Sequence, residues 1–225
     1  MIQNYSTAKG RLSSFGSNLF IGLLFFFLLT GITVALPASI DFDLVKERVV
    51  KEYLISEVDK EEIQQLLTSQ NPDGTWPGIN YQDVSRTGFE HYFHTGNMVT
   101  LAKAYQHPNS TFRGSPKVKQ AISNALDHWV QNDYFCDNWW YNQIGTPNNL
   151  VAVMLLLGDE LPEELVQATQ PIIGRAHLNA SGARPSGDRI KIAGILAKNL
   201  LFLGEKEKFE TVLKVIEGEI KFSTG

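Results

Sequence analysis

Apolar residues recur at spacings of three and four along most of the chain after Pro37, a pattern typical of helices. Phe42, Val45, Val49 and Tyr53 share one helical face, and the pattern continues over residues 58–67. Further helices are predicted over residues 83–105, from Ser115-Pro116, from Thr146-Pro147 to Leu157, from Leu161-Pro162, over residues 190–203 and over residues 206–220. No β alternation of useful length is present. Short connections place successive helices side by side, so the expected fold is all-α, an incomplete (α/α) toroid of antiparallel helical hairpins.

Residues 19–36 form a stretch without a charge, preceded by Lys9 and Arg11 and followed by Pro37-Ala38-Ser39. A basic start, an apolar centre and small residues near the end predict a secretory signal peptide, and the length also reaches the lower limit for a membrane anchor. Residues 1–36 are therefore expected to export the chain. The product is secreted, extracellular or periplasmic, or membrane-anchored if the segment is not cleaved, and residues 37–225 form the functional domain.

The charge of the chain is mildly acidic, at −4. Without residues 1–36, 18 basic and 24 acidic residues remain, a net charge of −6. This balance argues against a nucleic-acid partner, which requires a basic surface. The single cysteine, Cys136, excludes an intrachain disulfide and a cysteine-based zinc site, and the simplest interpretation is a small buried residue.

The densest group of candidate binding residues is the segment 137–147, which we expect to be a loop between two helices. Trp139 and Trp140 can stack on the apolar faces of pyranose rings, and Asn138 and Asn142 can hydrogen-bond sugar hydroxyls. The alternative is that one tryptophan closes the base of the toroid.

Two other segments carry candidate binding residues. Trp76 follows the turn 71–74 and is either a second stacking platform, with Arg86 nearby, or a loop-tip side chain packed on the first helix. A locally basic stretch could meet carboxylates or sulfates, or it is ordinary solvated surface; its members are Arg175, His177, Arg184, Arg189 and Lys191.

Other chemistries are weakly indicated. His91 and His94 are spaced for one helix face but lack a third metal ligand, so no metal and no cofactor are expected. Glu90 and Asp137 are the available carboxylates for an α/α-toroid glycoside hydrolase.

Several motifs together resemble the N-terminal α/α-toroid domain of polysaccharide lyase family 8, across about residues 44–220. They occur at residues 71–76, 104–105, 112–114, 127–129 and 138–147, and the last of these is the most specific. The resemblance implies β-eliminative cleavage of uronate-containing glycans of the chondroitin, hyaluronan or xanthan type. It implies that Asn138, Trp139 and Trp140 hold the sugar chain, and that the partner is an acidic polysaccharide bound by a monomer.

The same resemblance implies which catalytic roles the chain contains. In the family an asparagine in a Gly-Ala-Asn loop neutralises the uronate carboxylate, and here Arg184 occupies its place in a longer loop. The family's catalytic histidine and tyrosine follow the seventh helix, so none is expected within this chain, which should bind sugar without cleaving it. A non-catalytic glycan-binding module, membrane-tethered or exported, is the alternative.

Overall fold

The computed structural model of the protein describes residues 41–185 and 187–220. The helices are α1 (Phe42–Tyr53), α2 (Lys60–Ser69), α3 (His91–Gln106), α4 (Pro116–Asn132), α5 (Thr146–Leu157), α6 (Glu163–Ile173), α7 (Gly187–Leu203) and α8 (Lys206–Glu219). A π-helical segment, Tyr141–Gly145, leads directly into α5, and a short 3-10 turn, Gly158–Glu160, follows it. Every regular element of the described residues is thus helical, which confirms the all-α expectation for this part of the chain.

Helix α5 lies at the centre of the described fold. All of its residues from Asn149 to Leu157 are buried, and α3, α6 and α7 pack against it. The near-continuous apolar sequence of this helix requires such surroundings on every side. Helix α4 packs on α3 and α6, while α8 and α1 pack on α7.

The apolar pattern over residues 42–67 forms two helices, α1 and α2, and an aspartate caps the start of each. Asp41 Oδ1 accepts from the backbone N–H of Leu44, and Asp59 Oδ1 accepts from that of Glu62, both at 3.1 Å. Each carboxylate satisfies a backbone donor that a helix start leaves unpaired, so a new helix begins after Asp59.

Helix α3 begins at His91, later than the predicted start at residue 83. Side chains in the intervening segment bond to the backbone just ahead of them: Asp83 Oδ1 accepts from Ser85 N–H at 3.0 Å, and Ser85 Oγ accepts from Gly88 N–H at 3.2 Å. Such local bonds offer the backbone an alternative to the helix, which the apolar spacing does not reveal.

The expectation that residues 137–147 form a loop is wrong for most of that segment. The backbone is helical from residue 139, passes through the π-helical segment and continues into α5. The two tryptophans therefore lie in a helical turn with a defined orientation.

The N-terminal predictions fall on residues 1–36, which lie outside the described residues. Within residues 41–185 and 187–220, no helix combines the length and apolar character needed to cross a membrane. The boundary between an export segment and a functional domain stays a prediction.

Candidate functional site

The segment that carries Asn138 is held from two sides. Asn138 Oδ1 accepts from the backbone N–H of Trp140 at 3.1 Å, and its Nδ2 donates to the carbonyl of Arg86 at 3.4 Å. One residue earlier, the N–H of Asp137 donates to the carbonyl of Val84 at 3.0 Å. The structure thus brings Arg86 and Asn138, which are far apart in sequence, next to each other.

The two adjacent tryptophans contact different parts of the fold, and each lies close to a glycine. A Cβ atom placed on Gly182 would lie 2.2 Å from Trp139 Cζ3, and one placed on Gly145 would lie 2.8 Å from Trp140 Cζ3. Both rings are half-buried. Only glycine permits such close approach of an indole to the backbone, so part of each ring is covered by the protein.

Gln143 attaches the π-helical segment to the loop that contains Arg184. Its Nε2 donates to Ser181 Oγ at 2.9 Å, and its Oε1 accepts from the N–H of Gly182 at 2.8 Å. In the same loop, Arg184 Nε donates to the carbonyl of Ser181 at 3.2 Å. We call the connected residues the tryptophan surface: Arg86, Asn138, Trp139, Trp140 and Arg184.

Two residues predicted to contact sugar are placed elsewhere by the structure. Asn142 is 3% exposed, and its amide donates to the carbonyl of Cys136 at 2.7 Å and accepts from the Cys136 N–H at 3.1 Å. Trp76 is also 3% exposed, and its Nε1 donates to the carbonyl of Leu66 in α2 at 3.0 Å. Both side chains satisfy their polar groups inside the protein, so neither is available for stacking or sugar hydrogen bonds.

A cavity of about 370 Å³ opens beside Trp140. Its walls come from α3 through Tyr92, from the start of α5 through Asn148, and from α7 through Lys191, Gly194 and Lys198. Sequence reasoning did not single out Tyr92, Gly194 or Lys198. The sequence signal for the α7 wall is the spacing of residues 191, 194, 195 and 198, which places them on one helical face. Only the packing of α7 shows that this face lines a cavity.

Much of the basic stretch forms ion pairs within the protein. Arg175 Nη2 lies 2.5 Å from Asp133, Arg189 Nε lies 2.9 Å from Glu219, and Lys191 Nζ lies 3.1 Å from Asp188. The stretch is therefore not the single basic patch suggested by its sequence.

The histidines of α3 are parts of a buried polar network. His94 Nε2 donates to the carbonyl of Ala125 at 2.9 Å, because a carbonyl can only accept, and its Nδ1 accepts from the hydroxyl of Tyr81 at 2.8 Å. His91 Nε2 donates to the carbonyl of Tyr81 at 2.9 Å.

Burial shifts the pKa values of this network. It lowers the pKa of His94 to about 4 and that of His91 below its usual value, and it raises the pKa of Tyr81 to about 12. All three groups are thus neutral at pH 7. Within the described part of the chain, no three His, Cys, Asp or Glu side chains are grouped to bind a metal.

Comparison with known proteins identifies the family. Residues 39–184 match the model of the polysaccharide lyase family 8, N-terminal alpha-helical domain. The chain is similar to chondroitinase-AC of Pedobacter heparinus, with 29% identity over 137 residues that make up 60% of this chain and 19% of that protein.

Two solved structures share the fold. One is a chondroitinase AC lyase studied in complexes with oligosaccharides, with a TM-score of 0.71 at 24% identity, covering 81% of this chain and 27% of that one. The other is the chondroitin AC lyase of Streptomyces coelicolor A3 in complex with chondroitin sulphate, with a TM-score of 0.67 at 21% identity, covering 81% and 28%.

The chain thus spans about a fifth of the length of the chondroitinase-AC that it resembles in sequence. The family match extends over more than half of the chain and includes every residue of the tryptophan surface. On this evidence the chain belongs to polysaccharide lyase family 8, and residues 39–184 correspond to the family's N-terminal alpha-helical domain.

Proposed function

We propose that this chain is the substrate-binding N-terminal part of a polysaccharide lyase that cleaves uronate-containing glycans by β-elimination. The tryptophan surface binds the sugar chain, and the helical hairpins form part of an (α/α) toroid. The related lyases act on or bind chondroitin-type polymers, as their names and complexes state, which supports an acidic polysaccharide as the partner.

The observation that carries the proposal is the convergence of three separate segments at one surface. Hydrogen bonds from Asn138 reach the backbone at Arg86, and hydrogen bonds from Gln143 reach the loop of Arg184. The result is two half-buried indoles flanked by two exposed arginines. Indole faces suit the C–H faces of a pyranose, and guanidinium groups suit carboxylates or sulfates.

The reaction sets a further demand on this surface. The proton on the carbon next to a uronate carboxylate is very weakly acidic. The charge of the carboxylate must therefore be neutralised before a base can remove that proton. Arg184 is our candidate for this neutralising group. The histidines of α3 do not serve as the base, because both are fully buried and bonded within the core.

A binding and cleavage assay tests the proposal. The full 225-residue chain, kept in a polyoxyethylene detergent that carries no sugar, is titrated with hyaluronan and chondroitin sulfate oligosaccharides by calorimetry. We expect binding, and we expect Trp139→Ala to weaken it about tenfold or more through loss of the stacking ring. The matched control is Phe93→Ala, which removes an aromatic ring that is 62% exposed outside the tryptophan surface.

The same samples test cleavage of the polysaccharide. We expect the 225-residue chain alone to release no unsaturated uronate, which is followed by the ultraviolet absorbance of its C=C–carboxylate group. An increase in absorbance would place the base within this chain, and products without a double bond would indicate hydrolysis instead.

We also propose that residues 1–36 export the chain. Cell fractionation, with a mass measurement of the mature protein, distinguishes a cleaved signal peptide from a membrane anchor.

A further inference from the structure

The cavity beside Trp140 differs in charge from the rest of the chain. Its lining residues include two lysines, Lys191 and Lys198, and no acidic side chain. The chain as a whole carries a net charge of −4. Two cations in the lining of a cavity attract anions locally, even in an acidic protein.

The two lysines are available to a ligand. Lys191 pairs with Asp188 on the same helix, but its side chain is 56% exposed, and such surface pairs contribute little. In the described ranges no carboxylate lies within ion-pair distance of Lys198, whose Nζ lies 5.2 Å from the centre of the Tyr53 ring. Their spacing of seven residues places both cations on the face of α7 that lines the cavity.

The opposite wall suits a sugar ring. Trp140 and Tyr92 meet edge to face with ring centroids 6.1 Å apart, and both line the cavity together with the amide of Asn148. A volume of about 370 Å³ falls within the usual range for small-ligand sites. Aromatic, amide and cationic groups therefore converge on one space.

We propose that this cavity is a subsite that selects an anionic sugar unit of the polysaccharide. The ring lies against Trp140 and Tyr92, and its carboxylate or sulfate is bound by Lys191 and Lys198. This subsite rests on the proposed function and adds to it the residues that discriminate acidic from neutral glycans.

Gly194 allows a test that separates binding from folding. A Cβ atom on Gly194 would meet nothing within 4 Å, and the residue lines the cavity. Gly194→Leu therefore adds an apolar side chain at the cavity wall, starting from a Cβ position that is free of contacts. Because leucine favours helix more than glycine does, the thermal midpoint should stay or rise. Gly218→Leu in α8, also with open space around its Cβ position, is the matched control.

The charge is tested by Lys191→Met/Lys198→Met, with Lys208→Met/Lys214→Met on exposed positions of α8 as the control. The probes are a hyaluronan tetrasaccharide, which carries carboxylates only, a chondroitin sulfate tetrasaccharide, and neutral chitotetraose. We expect the double variant to weaken binding of the acidic probes about tenfold and to leave chitotetraose unchanged. Gly194→Leu should weaken the binding of every probe.

The outcomes separate the subsite from the proposed function. If the wild type binds acidic probes and neither variant changes their affinity, the subsite is overturned while the tryptophan surface stands. If only chondroitin sulfate loses affinity in the lysine variant, sulfate is the bound group, and an equal loss for hyaluronan indicates the carboxylate. If the wild type binds none of the probes, the proposed function fails and the subsite fails with it.

Discussion

The segments around Trp76 and around Trp139-Trp140 look alike in sequence, since each places tryptophan beside turn residues and amides. In the structure they differ. The indole of Trp76 is 3% exposed and bonded to α2. Both rings of the second segment are half-buried, and that of Trp140 lines a cavity. Asp73, Gly74 and Thr75 form a tight turn that holds Trp76 in place, with Asp73 Oδ1 accepting from Thr75 Oγ1 at 2.6 Å. A tryptophan beside polar and turn residues is therefore a structural element in one case and a binding candidate in the other.

The largest expected effect is that of Trp76→Ala. Removing a buried indole and its hydrogen bond should lower the free energy of unfolding by about 3–5 kcal/mol. Urea unfolding followed by circular dichroism measures this change. Trp139→Ala, which truncates a half-buried ring, should cost clearly less, and equal costs would contradict the difference between the two segments.

Gly74→Ala is expected to rank next. Gly74 has φ +86°, and an added Cβ would lie 2.3 Å from the carbonyl oxygen of Asn124 in α4. We expect a loss of about 3 kcal/mol, from left-handed backbone strain together with the clash. Gly78→Ala is the matched control, since Gly78 has φ +87° but open space around its Cβ position. It should cost about 1 kcal/mol from strain alone, and a similar loss in both variants would show that the contact with α4 is unimportant.

The network behind Trp76 should make stability depend on pH. The backbone N–H of Trp76 donates to the Tyr81 hydroxyl at 3.2 Å, and that hydroxyl donates to Nδ1 of His94. Burial lowers the pKa of His94 to about 4, so between pH 6.5 and 4 the unfolded chain binds a proton that the folded chain does not. Stability should therefore fall as pH falls, by about 2 kcal/mol from pH 7 to pH 5.

Urea unfolding at both pH values checks this expectation. His94→Phe should reduce the difference between them. An undiminished difference in the His94 variant would assign the pH effect to other groups.

Trp140→Phe is expected to change the free energy of unfolding least. Its main effect should be on sugar binding. A phenyl ring keeps part of the packing on Tyr92 but offers less area to a sugar, so affinity for acidic oligosaccharides should fall about three- to tenfold. Calorimetric titration measures the fall, with thermal unfolding as the check on the fold. Unchanged affinity would mean that Trp140 serves the fold as Trp76 does.

Much of the helical architecture was predictable from the periodicity of apolar residues. Residues 146–157 were expected to form a helix, and α5 lies there, buried nearly all round. The start of α3 was missed because Asp83 and Ser85 bond to nearby backbone, an effect that apolar spacing does not record. The helical state of Trp139 and Trp140 was missed because the π-helical segment joins them to α5 without a break.

The sequence by itself determined the all-α class and, through the segment 138–147, the resemblance that points to family 8. Both depend on local order along the chain, which periodicity and motifs record directly. The tertiary structure alone decided which polar and aromatic side chains remain available. The buried amide of Asn142 and the buried indole of Trp76 are occupied by backbone partners, while Lys191 and Lys198 meet Trp140 across a cavity. The burial of a side chain and its hydrogen-bond partners depend on segments far apart in sequence, so no local sequence pattern specifies them.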